Sequence, residues 1–468
     1  MTPDLSTESS QTVGQRIALN TTVMVGAKIL AVTCGIATFV VASRALEPSL
    51  FGTLVFIHAY MLLFAELATF QTWQALIRFG AEDIKKEDVD GLSKLIKFGF
   101  RLDIFSVIVA YIGAVALMGL VVWLVQKLPV SGTGESVDIK TLQTLIWFYC
   151  LVVLTRIEST PIGILRLFNR FGILALLALV MPVLRVTGSL YVVWRGATVE
   201  AFLIVWFVAS MASYVLTCVF SLLELKKRNL LVPMWRAKPE FRFPRKGLWP
   251  FAIKANVDAS LGTCNSHLPT LMVTAIFGPV WTGTYKIAEE ISKLLTEAFK
   301  LLDQAIYPEL AKLITGDKAE KIWRLATRAA AMLFTVGSVF AGLIFVFGEP
   351  ALVAIFGGEY RDAAPLASLL VSAAALMGVA APFYPIFYAA SKPEWAIYVR
   401  GSTVLVYLMA FFALSFTISH MAPGWAMLVG NMFCIIVLLV SAKATMKSAV
   451  KYQNQGLVVG RNLDVRND

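Results

Sequence analysis

The chain has 468 residues, of which 58% are hydrophobic and 15% charged, with a mean hydropathy of +0.74 and a formal net charge of +11. An ordinary globular domain carries roughly 25% charged residues, so this balance excludes a soluble fold and predicts an all-α polytopic membrane protein. The positive charge is read as membrane topology and attraction to anionic lipid headgroups, and no basic module interleaved with aromatics points to nucleic acid.

A membrane span needs about 20 mainly apolar residues. That ruler finds about twelve, near residues 19–43, 51–75, 104–126, 142–164, 171–194, 201–224, 248–276, 282–307, 325–347, 365–388, 396–418 and 424–444. Residues 1–18 lack the short apolar core and cleavage site of a signal peptide and are expected to remain as a cytoplasmic segment. Prolines 161, 182, 250, 269, 382 and 385 fall inside spans, where each removes a backbone hydrogen bond and bends the helix. The five cysteines fall singly within spans and read as packing residues. The three histidines lie far apart, so neither a metal site nor a cofactor is expected. No GxxxxGK[ST] loop is present, so energy for transport would come from a gradient or a separate protein.

The basic residues concentrate in the even-numbered loops. Arg78, Lys85, Lys86, Lys94, Lys97 and Arg101 follow the second span, and Lys226, Lys227, Arg228, Arg236, Lys238, Arg242, Arg245 and Lys246 follow the sixth. By the positive-inside rule these loops and both termini are cytoplasmic. The odd loops are short, the longest near Pro129–Lys140 and Gly348–Ala364.

The segment Pro48-Ser49-Leu50-Phe51-Gly52-Thr53 matches Pro279-Val280-Trp281-Thr282-Gly283-Thr284 in Pro, Gly and Thr, at an offset of 231 residues. Six spans separate the copies, which is the mark of parallel repeats. The predicted architecture is therefore two six-helix lobes, 19–225 and 248–445, around a central cavity. A basic linker, 226–247, joins them, and 446–468 forms a cytoplasmic tail.

Charges inside spans nominate the site, because ionisable residues at membrane depth mark transport paths. Lys28 lies about nine residues into its span, roughly 14 Å at the helical rise, too deep for its stem to snorkel fully. Arg185 is similarly deep, and its guanidinium suits phosphate. In the seventh span Lys254, Asp258, Gly262 and Asn265 form a polar stripe. Lys254 and Asp258 can pair with each other, or Lys254 can meet substrate. Asp258 and Glu66 are candidates for ion coupling. Arg156 and Glu158 read as an interfacial ion pair. The eighth span carries Lys286, Glu290, Lys293, Glu297, Lys300 and Gln304 at spacings of 4, 3, 4, 3 and 4, all on one face. That face either lines a water-filled cavity or neutralises itself through pairs three and four residues apart.

Taken together, Ala42-Ser43-Arg44-Ala45-Leu46-Glu47-Pro48 with Phe51-Gly52, Gln74-Ala75-Leu76-Ile77-Arg78, Phe277-Gly278-Pro279 with Gly283 and Tyr285, and Ile355-Phe356-Gly357 with Tyr360 resemble the polysaccharide-biosynthesis flippases of the multidrug, oligosaccharidyl-lipid and polysaccharide exporter superfamily. The resemblance spans nearly the whole chain. It implies inner-membrane transport, without enzymatic conversion, of a polyprenyl-pyrophosphate-linked oligosaccharide for cell-surface polysaccharide or lipopolysaccharide, by alternating access through a cationic cavity. Lys28, Arg185 and Lys254 fit such a cavity. Polysaccharide polymerase and chain-length proteins are the partners it implies. The rival readings are a multidrug or organic-cation antiporter of the same fold, a lipid-linked peptidoglycan precursor flippase, and an integral-membrane polymerase, ligase or glycosyltransferase. The antiporter would need unpaired acids, whereas the isolated deep charges are mostly basic.

Overall fold

A computed structural model describes the backbone of residues 13–127, 138–237, 248–314, 319–389 and 394–464, with most side chains between Thr22 and Thr445. Among the described residues every regular element is helical. Lipid offers no partner for backbone N–H and C=O groups, and a helix satisfies them internally. The elements are α1 (Val13–Ala45), α2 (Pro48–Leu67), α3 (Thr72–Lys85), α4 (Val89–Lys127), α5 (Ile139–Thr155), α6 (Ser159–Leu167), α7 (Phe171–Arg195), α8 (Val199–Lys227), α9 (Leu231–Arg236) and α10 (Leu248–Phe277). They continue with α11 (Pro279–Ile314), α12 (Ala319–Phe356), α13 (Ala363–Ala380), α14 (Tyr384–Ala389), α15 (Glu394–Ser415) and α16 (Ala422–Asp464).

Ten stretches among the described residues are long and apolar enough to cross a membrane. Their outer faces are apolar too: Leu176, Trp194 and Phe345 are 70%, 76% and 80% exposed. Exposed apolar area on this scale is the mark of a surface that meets lipid rather than water.

The chain forms two compact units, Met1–Gly283 and Thr284–Asp468. In the first, α2 is the central helix and is buried almost continuously from Phe51 to Met61. It packs against α4, α5, α8 and α10, while α1 lies along α7 and α7 along α8. In the second, α12 packs on α13, α15 on α16 and α13 on α16. Small residues permit the close approach: a Cβ on Gly337 would lie 2.6 Å from the Cβ of Ala375. Asn431 Nδ2 donates to the Ala373 carbonyl at 2.8 Å across that packing.

Two spans expected to be continuous are interrupted in the first unit. The stretch expected at 51–75 divides into α2 and α3 and runs on to Lys85. The carbonyls left open at the end of α2 are met by α10, where Ser260 Oγ donates to Leu67 O at 3.2 Å and Asn256 Nδ2 to Thr69 O at 3.0 Å. The stretch expected at 142–164 divides into α5 and α6 around Arg156–Glu158. Pro161 has no N–H to continue a ladder through this point. The free N–H of Thr160 donates instead to Asp103 Oδ2 at 2.7 Å. Thr72 Oγ1 donates to the other oxygen of Asp103 at 2.8 Å. A third division separates α13 from α14 at the 3-10 turn Ala381–Phe383, which contains Pro382. The predicted loop at Gly348–Ala364 is mostly helix, because α12 continues to Phe356 despite Pro350. Pro350 removes one hydrogen bond from a helix of 38 residues.

The two repeated segments meet each other inside the first unit. A Cβ on Gly52 would fall 1.7 Å from the Pro279 carbonyl oxygen, and one on Gly283 would fall 2.9 Å from Phe51 Cδ1 and 3.5 Å from the Pro48 carbonyl. Each segment thus lays its glycine against the proline end of the other. Gly52→Ala places a methyl group on a backbone carbonyl, and overpacking of this kind costs about 1–3 kcal/mol or more. We expect a lowered midpoint of thermal unfolding in detergent for Gly52→Ala, with no change for Gly26→Ala, whose Cβ would meet nothing within 4 Å.

Candidate functional site

The two interruptions of the first unit lie side by side, with the Trp73 amide donating to Ser159 Oγ at 3.3 Å. Next to them a cavity of about 470 Å³ runs into the unit, within the usual range for a ligand pocket. Met24 of α1 and Leu174, Leu177, Ala178 and Met181 of α7 supply most of its apolar lining, with Leu62 and Ile162. The polar lining includes His58, Glu66, Arg156, Glu158, Arg166, Arg185 and Tyr214. The lining residues of α7 run from Leu174 to Arg185 at helical spacing, so the cavity is about 16 Å long at 1.5 Å per residue.

The break between α5 and α6 delivers two of these charges. Side chains two apart on a helix do not face each other, yet Arg156 Nε donates to Glu158 Oε1 at 2.8 Å. Only the non-helical backbone at Arg156 allows this pair. Arg156 Nη2 stands 3.5 Å from Glu66 Oε1, too far for a strong hydrogen bond. The other oxygen of Glu66 lies 3.4 Å from His267 Nε2 and accepts from Thr263 Oγ1 at 3.2 Å, both on α10. Both cavity carboxylates are therefore committed to protein partners.

Arg185 enters from α7 without a carboxylate beside it among the described residues. Its Nη2 donates to Ser210 Oγ at 2.9 Å, its Nη1 faces His58 Nε2 at 3.3 Å, and its guanidinium lies 5.2 Å from the centre of the Trp206 ring. Arg166 rests over the Trp73 ring at 4.3 Å. Cation–π contacts of this kind contribute about 0.5–2 kcal/mol and leave the N–H groups available. Arg156 Nη1 and Arg185 Nε are buried without a hydrogen-bond partner among the described residues. With three arginines against two glutamates, the lining carries a positive excess.

The structure brings Arg185 and Glu66 into this one cavity. Lys28 is half-buried on α1, one turn beyond Met24. On α10, Lys254 is exposed and Asp258 half-buried. Neither lysine is among the lining residues. The polar stripe of α10 that meets α2 is instead Asn256, Ser260, Thr263 and His267, at spacings of 4, 3 and 4. The charge pattern of the sequence does not mark it, because Asn256, Ser260 and Thr263 carry no charge.

In the second unit the charged ladder of α11 forms a compact cluster. Lys286 Nζ lies 2.7 Å from Glu289 and 2.9 Å from Glu290, and Lys293 Nζ lies 3.2 Å and 3.1 Å from the same two carboxylates. Two lysines and two glutamates cancel. Glu289 completes the square and was absent from the predicted ladder, since it sits beside that face rather than on it. Further along, Lys300 pairs with Glu297 at 2.7 Å. Gln304 has its side chain outside the described residues.

A polar cavity with a positive excess, set in a bundle of long apolar helices whose exterior is apolar, belongs to a multi-pass membrane protein. By its match over residues 17–314, the chain belongs to the polysaccharide biosynthesis protein family, which confirms the resemblance carried by the motifs above. It is 25% identical over 335 residues to the inner membrane protein YghQ of Escherichia coli (strain K12), covering 72% of this chain and 89% of that protein. Its fold is shared with an inward-facing multidrug resistance MATE transporter of the MOP superfamily, at a TM-score of 0.74 and 13% identity, covering 92% of this chain and 99% of the other. It is shared likewise with the lipid II flippase MurJ in an inward closed conformation, at a TM-score of 0.63 and 15% identity over 96% and 93% of the two chains.

Removing one member of a buried ion-pair cluster leaves its partners uncompensated and costs about 3–5 kcal/mol. Lys286→Met is therefore expected to destabilise the protein strongly, and adding Glu289→Gln to recover part of the loss. A double-mutant cycle by thermal unfolding measures the coupling.

Proposed function

We propose that this protein is an inner-membrane flippase that carries a polyprenyl-pyrophosphate-linked oligosaccharide from the cytoplasmic to the periplasmic leaflet for surface polysaccharide synthesis. The observation that carries this reading is the cationic cavity, with N–H groups at Arg156 Nη1 and Arg185 Nε that have no acceptor among the described residues. A guanidinium only donates, and diphosphate oxygens are acceptors of matching charge and geometry. The apolar lining from α1 and α7 suits a lipid-borne ligand whose polar head alone leaves the bilayer. With the basic loops and both termini in the cytoplasm, the break at Arg156–Glu158 lies towards the cytoplasmic mouth and Arg185 deepest. The headgroup would meet Arg166 and Arg156 before Arg185.

Family membership and the inner-membrane location of the Escherichia coli relative support this assignment. The MATE-like fold raises the alternative of a cation antiporter. Against it, Glu66 and Glu158 are both held by cationic or histidine partners, so an organic cation would find no free acid here. Lys28 and Lys254 remain candidates for secondary contacts along the path, and Asp258 for ion coupling. Polymerase and chain-length proteins are the natural recipients of the flipped product.

Each hydrogen bond to a charged group contributes about 1.5–3 kcal/mol, which is a factor of roughly ten or more in rate if it is made in the rate-limiting state. In reconstituted vesicles supplied with a fluorescent polyprenyl-pyrophosphate-linked oligosaccharide, Arg156→Gln and Arg185→Gln should each slow flipping by about that factor while inserting normally. Lys28→Gln and Lys254→Gln should slow it less. Wild-type rates in Arg156→Gln, Arg185→Gln and their double variant would overturn the assignment.

A further inference from the structure

The arginines that line the cavity are held in different ways. Arg156 is paired with Glu158 and stands near Glu66, and Arg185 is hydrogen-bonded to Ser210. Arg166 has one partner among the described residues, the ring of Trp73, whose centre lies 4.3 Å from its guanidinium carbon. A ring face attracts the charge without neutralising it, as a carboxylate would. Arg166 therefore keeps its full charge, and none of its N–H groups is hydrogen-bonded among the described residues.

The ring beneath it is fixed from three sides. Trp73 stands at the head of α3, where its amide donates to Ser159 Oγ at 3.3 Å and its indole N–H donates to Gln71 Oε1 at 2.6 Å. Its Cα lies against Gly163 of α6, close enough that a Cβ added there would fall 2.9 Å from it. Gly163 and Arg166 are three residues apart on α6 and share a face. The close approach at Gly163 thus brings Arg166 onto the indole. Arg166 and Ile162, one turn before it, line the cavity, whereas Trp73 is not among the lining residues. The indole backs the arginine and acts through it.

The neighbouring acids do not compete for this guanidinium. Glu158 is paired with Arg156, and Glu66 is shared by Arg156, His267 and Thr263. Arg166 is half-buried in the last turn of α6, three residues before the exposed Asn169, so it is placed where an entering ligand passes. A long side chain loses rotamer freedom when it grips an anion, and a ring that already holds the guanidinium removes part of that loss in advance.

We propose that Trp73 is the positioning residue for Arg166, and that the two form the entry subsite for the phosphate of an anionic headgroup. The ring holds the guanidinium, and its N–H groups take phosphate oxygens before Arg156 and Arg185 do. The identity of the headgroup rests on the flippase reading. The anion site itself does not, since a diphosphate from any source offers oxygens that match the fork of donors.

The chain has 11 tryptophans, and in the full-length protein labelled with 5-fluorotryptophan the Trp73 resonance is assigned by its loss in Trp73→Phe. Its ¹⁹F shift should move in Arg166→Gln, which takes the cation off the ring. Inorganic pyrophosphate should move it saturably in the wild type and leave it in place in Arg166→Gln. A resonance indifferent to Arg166→Gln, no response to pyrophosphate in the wild type, or a response that Arg166→Gln retains would each overturn the proposal. In the vesicle assay, Trp73→Leu should raise the concentration of lipid-linked oligosaccharide that gives half the maximal rate by about three- to tenfold, and by more than it lowers the maximal rate. Trp73→Tyr, which keeps a ring face, should stay nearer the wild type. A loss confined to the maximal rate, or equal half-saturation in Trp73→Leu and the wild type, would reduce Trp73 to a packing residue and sink the proposal. Wild-type flipping in the Arg156 and Arg185 variants, with the ¹⁹F responses intact, would remove the flippase reading and leave the anion site standing. Slowed flipping in those variants with a silent Trp73 resonance would remove the anion site alone.

Discussion

Asp103 is the residue on which the polar lining depends. Non-helical backbone is tolerated at membrane depth only where its open N–H and C=O groups find partners within the protein. Asp103 accepts from the Thr160 amide at the head of α6 and from the Thr72 hydroxyl at the head of α3, so one buried carboxylate serves both interruptions of the first unit. The α10 side chains Asn256 and Ser260 complete the arrangement from the other side, on carbonyls at the end of α2. Once the chain can stop being helical at Arg156, an arginine and a glutamate two residues apart can turn to the same side. A continuous helix would have sent them in different directions.

The molecule deals with charge in two ways. On α11, lysine and glutamate alternate closely enough to cancel within two turns, and the Lys286 cluster leaves no surplus for a visitor. In the cavity, the acids are fewer than the arginines and are already engaged. Arg185 is held by a ring, a hydroxyl and an imidazole, with no carboxylate beside it among the described residues. The difference follows from position: i,i+3 and i,i+4 partners on one helix can satisfy each other, whereas the cavity charges arrive from separate elements.

Much of this was legible in the sequence. Hydropathy located most of the long helices, Arg185 stands where its depth in the span put it, in a cavity, and of the two readings that the spacing of Lys286, Glu290 and Lys293 left open for α11, the structure shows the mutual pairing. The match between residues 48–53 and 279–284 pointed to segments that do meet. What escaped reading depends on where the chain turns. The Arg156–Glu158 ion pair is legible in the sequence and is made at 2.8 Å, but the break that allows it is not, because a 23-residue apolar stretch runs straight through it, although Pro161 and the two-residue spacing both argue for a break. His58 looked like an isolated histidine, since Tyr149 and Arg185 reach it from α5 and α7 and only packing brings them together. The charged stripe of α10 drew the eye away from the neutral one that contacts α2.

The encounter of the repeats at Gly52 and Gly283 has a consequence for how such a chain can change. Two segments of like sequence that pack against each other give every alteration an immediate neighbour: bulk added beside Gly52 presses on Pro279, and bulk added beside Gly283 presses on Phe51. Neither copy can drift alone. A change at either glycine therefore calls for a matching change on the segment that faces it.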